Sequence, residues 1–444
     1  MSNTSAREAA LHILEQIDKN QSYSNLLLNH AVKKFSIKGP DVGLLTELTY
    51  GTIQRKLTLD FYLQPFIKKK VENWVRNLLR MSLYQMVYLD RVPERAAIHE
   101  AVEIAKKKGH KGIAGLVNGI LRSVQRQGLP SLDLIKDPIE RLSIETSHPY
   151  WLVKRWSEQF GDEKTREMCE TNLTPPVQTA RVNTILTTRE EALQMLKDEG
   201  VDAEKSKFIS EGLYIKRGNI AHTNAFKEGF LTIQDESSML VANALNPKPG
   251  EKVLDLCAAP GGKTTHIAEK MNNEGQVVAV DLHPHKIKLI QENAARLAIT
   301  AIEGYALDGR KVKEQFQIES FDRVLVDAPC SGLGVLRRKP DIKYAKKEQD
   351  LTSLTSIQSS LLDSAVEMVK VGGTLVYSTC TVDHVENHQT VAQFLENNQQ
   401  MKLVTAESLP DSIQPLLKNQ MLQVFPQDFG GDGFFIACFI KQEF

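Results

Sequence analysis

The chain has 444 residues; 55 Lys and Arg balance 55 Asp and Glu, and 41% of residues are hydrophobic and 25% charged. That length allows about three domains, and the composition is that of an ordinary soluble globular protein. A formal net charge of zero excludes capture of nucleic acid by a global positive field, so such a partner must be met by local basic patches. No apolar run reaches membrane-spanning length. The opening MSNTSAREAALHILEQI scatters charge along an amphipathic helix and lacks the basic start, apolar centre and cleavage site of a signal peptide, so a cytoplasmic protein is expected. Five cysteines, Cys169, Cys257, Cys330, Cys380 and Cys438, are widely spaced without a C-x-x-C pair. Neither a disulfide framework nor a zinc site follows, and free thiols remain for chemistry.

Helical periodicity runs from residue 1 to about 130 through AREAALHILEQI, SNLLLNHAVKKF, LLTELTYGTIQRKLTLDFYLQPFI, WVRNLLRMSLYQMVYL, AAIHEAVEIAKKK and GIAGLVNGILRSVQRQ. Few β-branched alternations interrupt it, which predicts an all-helical domain. Basic clusters fall at Arg55-Lys56, Lys68 to Lys70 and Lys106 to Lys111; each reads either as a solvated helix face or as part of a nucleic-acid patch. Through Glu47 to Gln54 (ELTYGTIQ) and Arg91 to Glu100 (RVPERAAIHE), this domain resembles the NusB-like RNA-binding domains. The resemblance favours RNA.

A polar stretch around Leu129 to Asp137 separates residues 140–233. There a helix is predicted from Tyr150 through about Glu170, then a strand in TARVNTI, a helix over Arg189 to Leu196, and short strands near Leu213 to Ile215 and Phe230 to Ile233. This small α+β unit is similar to the RNA-binding extension that precedes RNA cytosine methyltransferase domains. Trp151 and Trp156 stand at helical spacing and are expected in the core.

Over 234–444 strand and helix alternate. KVLDLC, QVVAVD, Ile302 to Ala306, RVLVDAP and GTLVYST are predicted strands, separated by helices such as HKIKLIQENAARLA and LTSIQSSLLDSAVEMV. Short apolar β-branched runs fit strands buried on both faces of a parallel sheet. MLQVFPQDFGGDGFFIACFIK adds two edge strands, for a seven-stranded, mostly parallel sheet. The arrangement resembles the α/β Rossmann-like methyltransferases.

The chain is organised around Lys252 to Thr264, KVLDLCAAPGGKT, a strand breaking into a Gly-rich turn and a helix start. Such openings bind nucleotides at the carboxyl edge of doubly wound sheets. Gly262-Lys263-Thr264 is not a phosphate-binding P-loop, because the position that must be glycine is Cys257. G-x-G-x-x-G is also absent. The remaining reading is a nucleoside with little phosphate, its ribose held by an acidic residue after the next strand. Asp281 ends QVVAVD and reads either as that carboxylate or as a cap of the helix beginning near Pro284.

Asp327-Ala328-Pro329-Cys330-Ser331-Gly332 and Ser378-Thr379-Cys380-Thr381 follow the fourth and fifth strands, so two thiols open on the cofactor crevice. Asp383-His384-Val385-Glu386 has capping-box spacing. It predicts a helix just after Cys380, whose N-terminus would favour a thiolate, with Glu386 as cap partner. His384 and His388 are four residues apart, but no third ligand accompanies them, so no metal is expected. A thiolate beside a methyl donor suits pyrimidine chemistry. Addition at carbon 6 makes carbon 5 nucleophilic, and loss of the carbon 5 proton then releases the thiol. Asp327 could pair with the exocyclic amine or a protonated ring nitrogen of cytosine. Arg337-Arg338-Lys339, after the Cys330 loop, read either as phosphate contacts or as a solvated loop.

Cys257-Ala258-Ala259-Pro260-Gly261-Gly262-Lys263-Thr264, the Asp327 to Gly332 stretch and Thr379-Cys380-Thr381 resemble the motifs of the RNA 5-methylcytosine methyltransferase family. With the NusB-like front domain, the whole chain is similar to that family's bacterial small-subunit (16S) ribosomal RNA enzymes. The resemblance implies S-adenosylmethionine binding by Cys257, Ala258, Ala259, Pro260, Gly261, Gly262, Lys263, Asp281, Asp308 and Asp327, with Asp308 near the adenine. It implies Cys380 as nucleophile and Cys330 as the release cysteine, acting on 16S ribosomal RNA; a monomer is expected, although the sequence does not give the oligomeric state. Whether Asp327 meets cofactor, base or both stays open. A DNA cytosine methyltransferase would use Cys330 as nucleophile, against Thr379-Cys380 and the helical front domain. A pure RNA-binding factor would leave the cofactor loop and both cysteines without a purpose. Transfer RNA is the rival substrate.

Overall fold

The computed structural model describes residues 4–20 and 24–443; Met1 to Asn3, which the sequence places at the head of the first helix, lie outside them. The chain divides into two compact units, 1–174 with 336–346, and 175–335 with 347–444.

In the first unit, helices Ala6–Asn20, Ser24–Lys34, Pro40–Gln54, Lys56–Leu63, Asn73–Tyr88, Glu94–Lys108 and Lys111–Gln127 match the predicted periodic runs. Their apolar stripes converge on one core that includes Leu45, Leu48, Leu78, Leu83, Val117 and Leu121. The long run Leu44 to Ile67 is two helices broken at Arg55. No glycine or proline marks the break; Arg55 instead donates to Glu145 O at 3.4 Å and lies over the Tyr88 ring at 4.8 Å. Lys56 pairs with Asp18, Lys106 with Glu103, Lys107 with Glu8 and Lys108 with Glu15, while Lys68 to Lys70 are exposed. Helix Pro138–Thr146, not predicted, begins immediately after the polar stretch Leu129 to Asp137, whose last residue is its N-cap. The predicted helix after His148 is two, Tyr150–Phe160 and Asp162–Asn172, parted at Gly161 with φ 82°. Trp156 is fully buried and Trp151 half-buried.

Leu336 to Lys346 belong to this unit although they follow the Cys330 loop in sequence. Lys343 is fully buried and donates to Gln54 O at 2.9 Å, and Tyr344 Oη donates to Ser147 O at 2.9 Å. Arg337 Nε donates to Thr174 O at 3.2 Å.

The second unit begins with β1 (Gln178–Val182), β2 (Asp202–Lys205), β3 (Gly212–Arg217) and β4 (Leu231–Ile233), an antiparallel sheet in the order β2-β3-β1-β4. Edge strand β2, DAEK, is mostly exposed; with no buried face it carries no alternation for the sequence to reveal.

The large sheet contains β5 (Lys252–Asp255), β6 (Gln276–Asp281), β7 (Ile302–Ala306), β8 (Phe321–Asp327), β9 (Val369–Thr379), β10 (Met401–Val404), β11 (Leu417–Lys418), β12 (Met421–Val424) and β13 (Phe434–Lys441). Its order is β11-β12-β13-β9-β8-β5-β6-β7, with β10 also on β13. The five predicted strands form the parallel part, β9-β8-β5-β6-β7. The sheet has nine strands where seven are predicted; the additional ones are β10 and the two-residue β11, both on the antiparallel side. Successive residues serve opposite layers: Val253, Val277 and Leu325 pack in one cluster, and Leu254, Val278 and Val324 in the other. Because β5 pairs with β6 on one side and β8 on the other, the topological switch point lies between β5 and β8.

Arg181 on β1 is fully buried against helix Gly262–Lys270. It makes a bidentate pair with Glu269, at 2.8 Å to each oxygen, and donates to Gly262 O at 2.8 Å and to Gln234. The small sheet is thereby fastened to the helix that follows the Gly-rich loop. Arg181→Met should lower unfolding stability by roughly 3–5 kcal/mol, since Glu269 is left buried and unpaired. Adding Glu269→Leu should recover most of that loss, as read by denaturant unfolding.

Candidate active site

β5 ends at Asp255, and Leu256 to Gly261 form a loop held against both neighbouring strands: Leu256 N donates to Leu325 O at 3.0 Å, and Ala258 N to Val280 O at 2.9 Å. Pro260, joined to Ala259 by a cis peptide, is exposed, and its carbonyl accepts from Asn293 at 2.9 Å. Gly261 has φ 99°, and a Cβ there would stand 3.2 Å from Ile290 Cα, so both conformation and space require glycine. A Cβ on Gly262 would meet nothing within 4 Å, which leaves open space at the N-terminus of helix Gly262–Lys270.

The carboxylates predicted for the site stand at successive strand ends. Asp281 is buried, accepts from Ala259 N and His283 N at 3.3 Å each, and lies 3.4 Å from Lys286 Nζ. It thus tethers both the Gly-rich loop and the start of helix Pro284–Arg296. Asp308 follows β7, half-buried, with Arg310 donating to it through Nε and Nη2, the shortest contact 2.6 Å. Asp327 accepts from Lys263 Nζ at 2.7 Å and from Ser378 Oγ at 2.8 Å. Burial opposes the charged Lys263, but the charge and hydrogen bond of Asp327, together with the charge of Cys380, outweigh it and hold the ammonium protonated. Burial raises the Cys257 thiol well above its ordinary value, and the charges of Asp255, Asp327 and Asp281 add to it; Cys257 stays a neutral thiol.

The two remaining cysteines are brought together. Cys330 Sγ and Cys380 Sγ are 3.3 Å apart, both half-buried. The shared hydrogen bond with Cys380, then burial, then the charges of Cys380 and Glu386 push the Cys330 thiol well above its ordinary range. Cys330 thus holds its proton tightly, and the two sulfurs share one hydrogen bond. Gly334 N donates to the carbonyl of Cys380 at 3.0 Å, and Gly433 N to Gly334 O at 2.8 Å; a Cβ on Gly334 would fall 2.0 Å from Gly433 O. The loop after Cys330 is thus pinned directly to Cys380.

The predicted capping box is corrected. Asp383 Oδ1 accepts from Val385 N at 3.0 Å, and a helical stretch begins at Val385, but Glu386 does not return to Asp383. Its carboxylate instead accepts from Ser331 N at 2.8 Å, because the chain turns through a single π-helical turn at Val385–Gln389 before Thr390–Asn397. Spacing alone could not distinguish that turn from an ordinary first turn. His384 and His388 stack edge to face at 4.9 Å, and among the described residues no group of His, Cys, Asp and Glu could hold a metal ion. Among them, too, no helix is long and apolar enough to cross a membrane.

The donor set fits a nucleoside cofactor. Asp281 and Asp308 offer acceptors for hydroxyl and amine groups, and the crevice bottom holds a buried Asp255 whose Oδ1 has no partner. The open space at Gly262 leaves room for close approach. Such a crevice, at the switch point of a doubly wound sheet and ending in two thiols, defines a Rossmann-like methyltransferase. Residues 242–440 match the family described as 16S rRNA methyltransferase RsmB/F, residues 4–126 the NusB family, and residues 148–221 the ferredoxin-like domain of RsmF/B-like methyltransferases. The "Probable ribosomal RNA small subunit methyltransferase B" of Bacillus subtilis (strain 168) is 52% identical over 446 residues, with 100% of each chain covered. That of Synechocystis sp. (strain PCC 6803) is 35% identical over 98% of each. The crystal structure of PH0851 superposes with a TM-score of 0.84 at 28% identity, covering 99% of this chain and 98% of that one. The chain belongs to the RsmB/F family of 16S rRNA methyltransferases, with a NusB domain in front. Its cofactor is S-adenosylmethionine.

Asp255 was not singled out by the sequence. Burial lifts its carboxyl from 3.8 to about 7, the Asp327 charge adding to the rise while Thr264 Oγ1, donating at 2.8 Å, opposes it. Because the folded state holds this proton more tightly than the unfolded state, the protein loses stability from Asp255 as pH rises from about 4 through about 7. Asp255→Asn should therefore melt higher than wild type at pH 8, with the gap closing toward pH 4, as followed by thermal unfolding across that range.

Proposed function

We propose that the chain transfers a methyl group from S-adenosylmethionine to carbon 5 of a cytidine in 16S ribosomal RNA through a covalent adduct with Cys380, which Cys330 helps to release. In this reading residues 1–130 engage RNA, 140–233 extend the catalytic module and 234–444 carry the chemistry. The observation that carries it is the pair of sulfurs 3.3 Å apart beside the Lys263–Asp327 ion pair.

S-adenosylmethionine supplies an electrophilic methyl group, and Cys257 to Lys263, Asp281, Asp308 and Asp327 are the residues that would hold it. Cys380 attacks carbon 6 as thiolate, favoured by the Lys263 ammonium and by the Cys330 S–H donor. Asp327, paired with Lys263 at 2.7 Å, is available to the exocyclic amine or ring nitrogen. Once Cys380 is consumed in the carbon–sulfur bond, the negative sulfur that held Cys330 protonated is gone. With carbon 5 methylated, the Cys330 thiol is easier to ionise: it yields its proton to water and as thiolate takes the carbon 5 proton, while the electrons of that carbon–hydrogen bond re-form the ring double bond and expel Cys380 as thiolate. A target within folded RNA must be unstacked to reach this crevice. Lys68 to Lys70, exposed in the helical unit, suit phosphate contact there.

Cys380→Ala should abolish both methylation and any covalent RNA adduct; retained turnover would refute the nucleophile. Cys330→Ala should leave attack intact and slow release, so that a denaturation-resistant protein–RNA complex accumulates on gels. Absence of that complex would reduce Cys330 to a structural residue.

A further inference from the structure

Behind the two sulfurs lies a polar cluster that the chemistry above does not use. Glu386 is fully buried. One carboxylate oxygen accepts from Ser331 N at 2.8 Å and Gln358 Nε2 at 3.1 Å; the other accepts from Ser331 Oγ at 2.5 Å. Gln358, itself fully buried on helix Glu348–Met368, also donates to Pro329 O at 3.0 Å. Ser331 Oγ is 2.9 Å from Thr381 Oγ1. The residues on both sides of Cys330, and the residue after Cys380, are thereby tied to one carboxylate. The Glu386 backbone is fixed in turn, its carbonyl accepting from Tyr377 Oη at 2.6 Å.

A carboxylate buried among neutral donors is costly, and burial accordingly raises its affinity for a proton. An apolar residue would fill the volume at lower cost, but it would leave Ser331 N–H and Gln358 without an acceptor and the Cys330 loop without an anchor. Few other side chains accept from three donors at once.

We propose that Glu386 is a positioning residue for the release thiol: by holding Ser331 directly and Pro329 through Gln358 it keeps the Cys330 sulfur against Cys380 and beside carbon 5 of the bound base. The role acts through the loop, by the hydrogen bonds to Ser331 and Gln358; Glu386→Gln, which removes the charge that also raises the Cys330 thiol, separates the two effects. The inference rests on the covalent reading of the reaction. It deepens that reading by assigning the geometry of release to a residue outside the crevice.

Its test uses the full-length protein with unmodified 16S rRNA and labelled S-adenosylmethionine, measuring kcat, KM for RNA and the fraction of protein trapped as denaturation-resistant adduct. Glu386→Ala should lower kcat about 10- to 100-fold with KM unchanged, since a sub-ångström loss of alignment suffices. Trapped adduct should rise toward the Cys330→Ala level. Glu386→Gln keeps an acceptor for Ser331 N and Gln358 and should restore most of kcat and clear most of the adduct. Should Glu386→Ala not fold, Gln358→Leu, which frees only Pro329 O and one carboxylate bond, should show a smaller rise in adduct. If either loosened variant turns over without extra adduct while Cys330→Ala accumulates it, the positioning role is overturned and the covalent reading stands. If Cys330→Ala itself accumulates none, the covalent reading fails and the positioning role falls with it.

Discussion

Parallel pairing of β8 with β9 is the constraint on which the site depends. The register sets Asp327 opposite Ser378, and Ser378 Oγ donates to the Asp327 carboxylate. Both chains leave the sheet at the same edge, one into the Cys330 loop and the other into Cys380. A one-residue slip would turn Asp327 and Ser378 to the other face and take the two loops out of register. Burial of both sheet faces makes that slip prohibitive, because every residue from Val324 to Val326 and from Leu375 to Thr379 is buried.

On that frame the site is an arrangement of few charges in a low-dielectric crevice. Lys263 is the cation close to the sulfurs, and it is shared by Asp327 and Cys380. Asp255 lies beneath, held near neutrality by burial, which limits the negative charge around Asp327. Glu386 lies behind and adds its charge to those that keep Cys330 protonated. Two cysteines in nearly the same place thus have unequal surroundings: the Lys263 ammonium feels the charge of Cys380, while the partner sulfur, burial and Glu386 push the Cys330 thiol up. In the proposed mechanism, carbon–sulfur bond formation removes the negative sulfur beside Cys330, so that the same pair would serve attack and release in turn.

Much of this was legible in the sequence, for identifiable reasons. The parallel strands are short apolar runs that both layers bury, so KVLD, QVVAVD and RVLVD announce themselves; the cysteines follow at strand ends, where topology alone puts them in one crevice. Edge elements escaped: β2 is nearly all charged, and β11 has two residues. The break at Arg55 escaped because contacts distant in sequence produce it. Glu386 was misread because the spacing of a capping box is also the spacing that aims a side chain across the sheet edge, and only the π-turn decides between them. Asp255 escaped because its unusual protonation comes from burial and the charge of Asp327, which no local pattern encodes. The displacement of Leu336 to Lys346 into the helical unit is of the same kind; Lys343 reads as a solvated lysine in sequence and is fully buried in the fold.

The most direct measurement is transfer of labelled methyl from S-adenosylmethionine to unmodified 16S ribosomal RNA, with transfer RNA in parallel and nucleoside analysis of the products. Label recovered as 5-methylcytidine from the ribosomal RNA alone is the result the account predicts. Label in any other nucleoside would contradict the carbon 5 chemistry, and 5-methylcytidine in transfer RNA alone would contradict the assignment of the substrate.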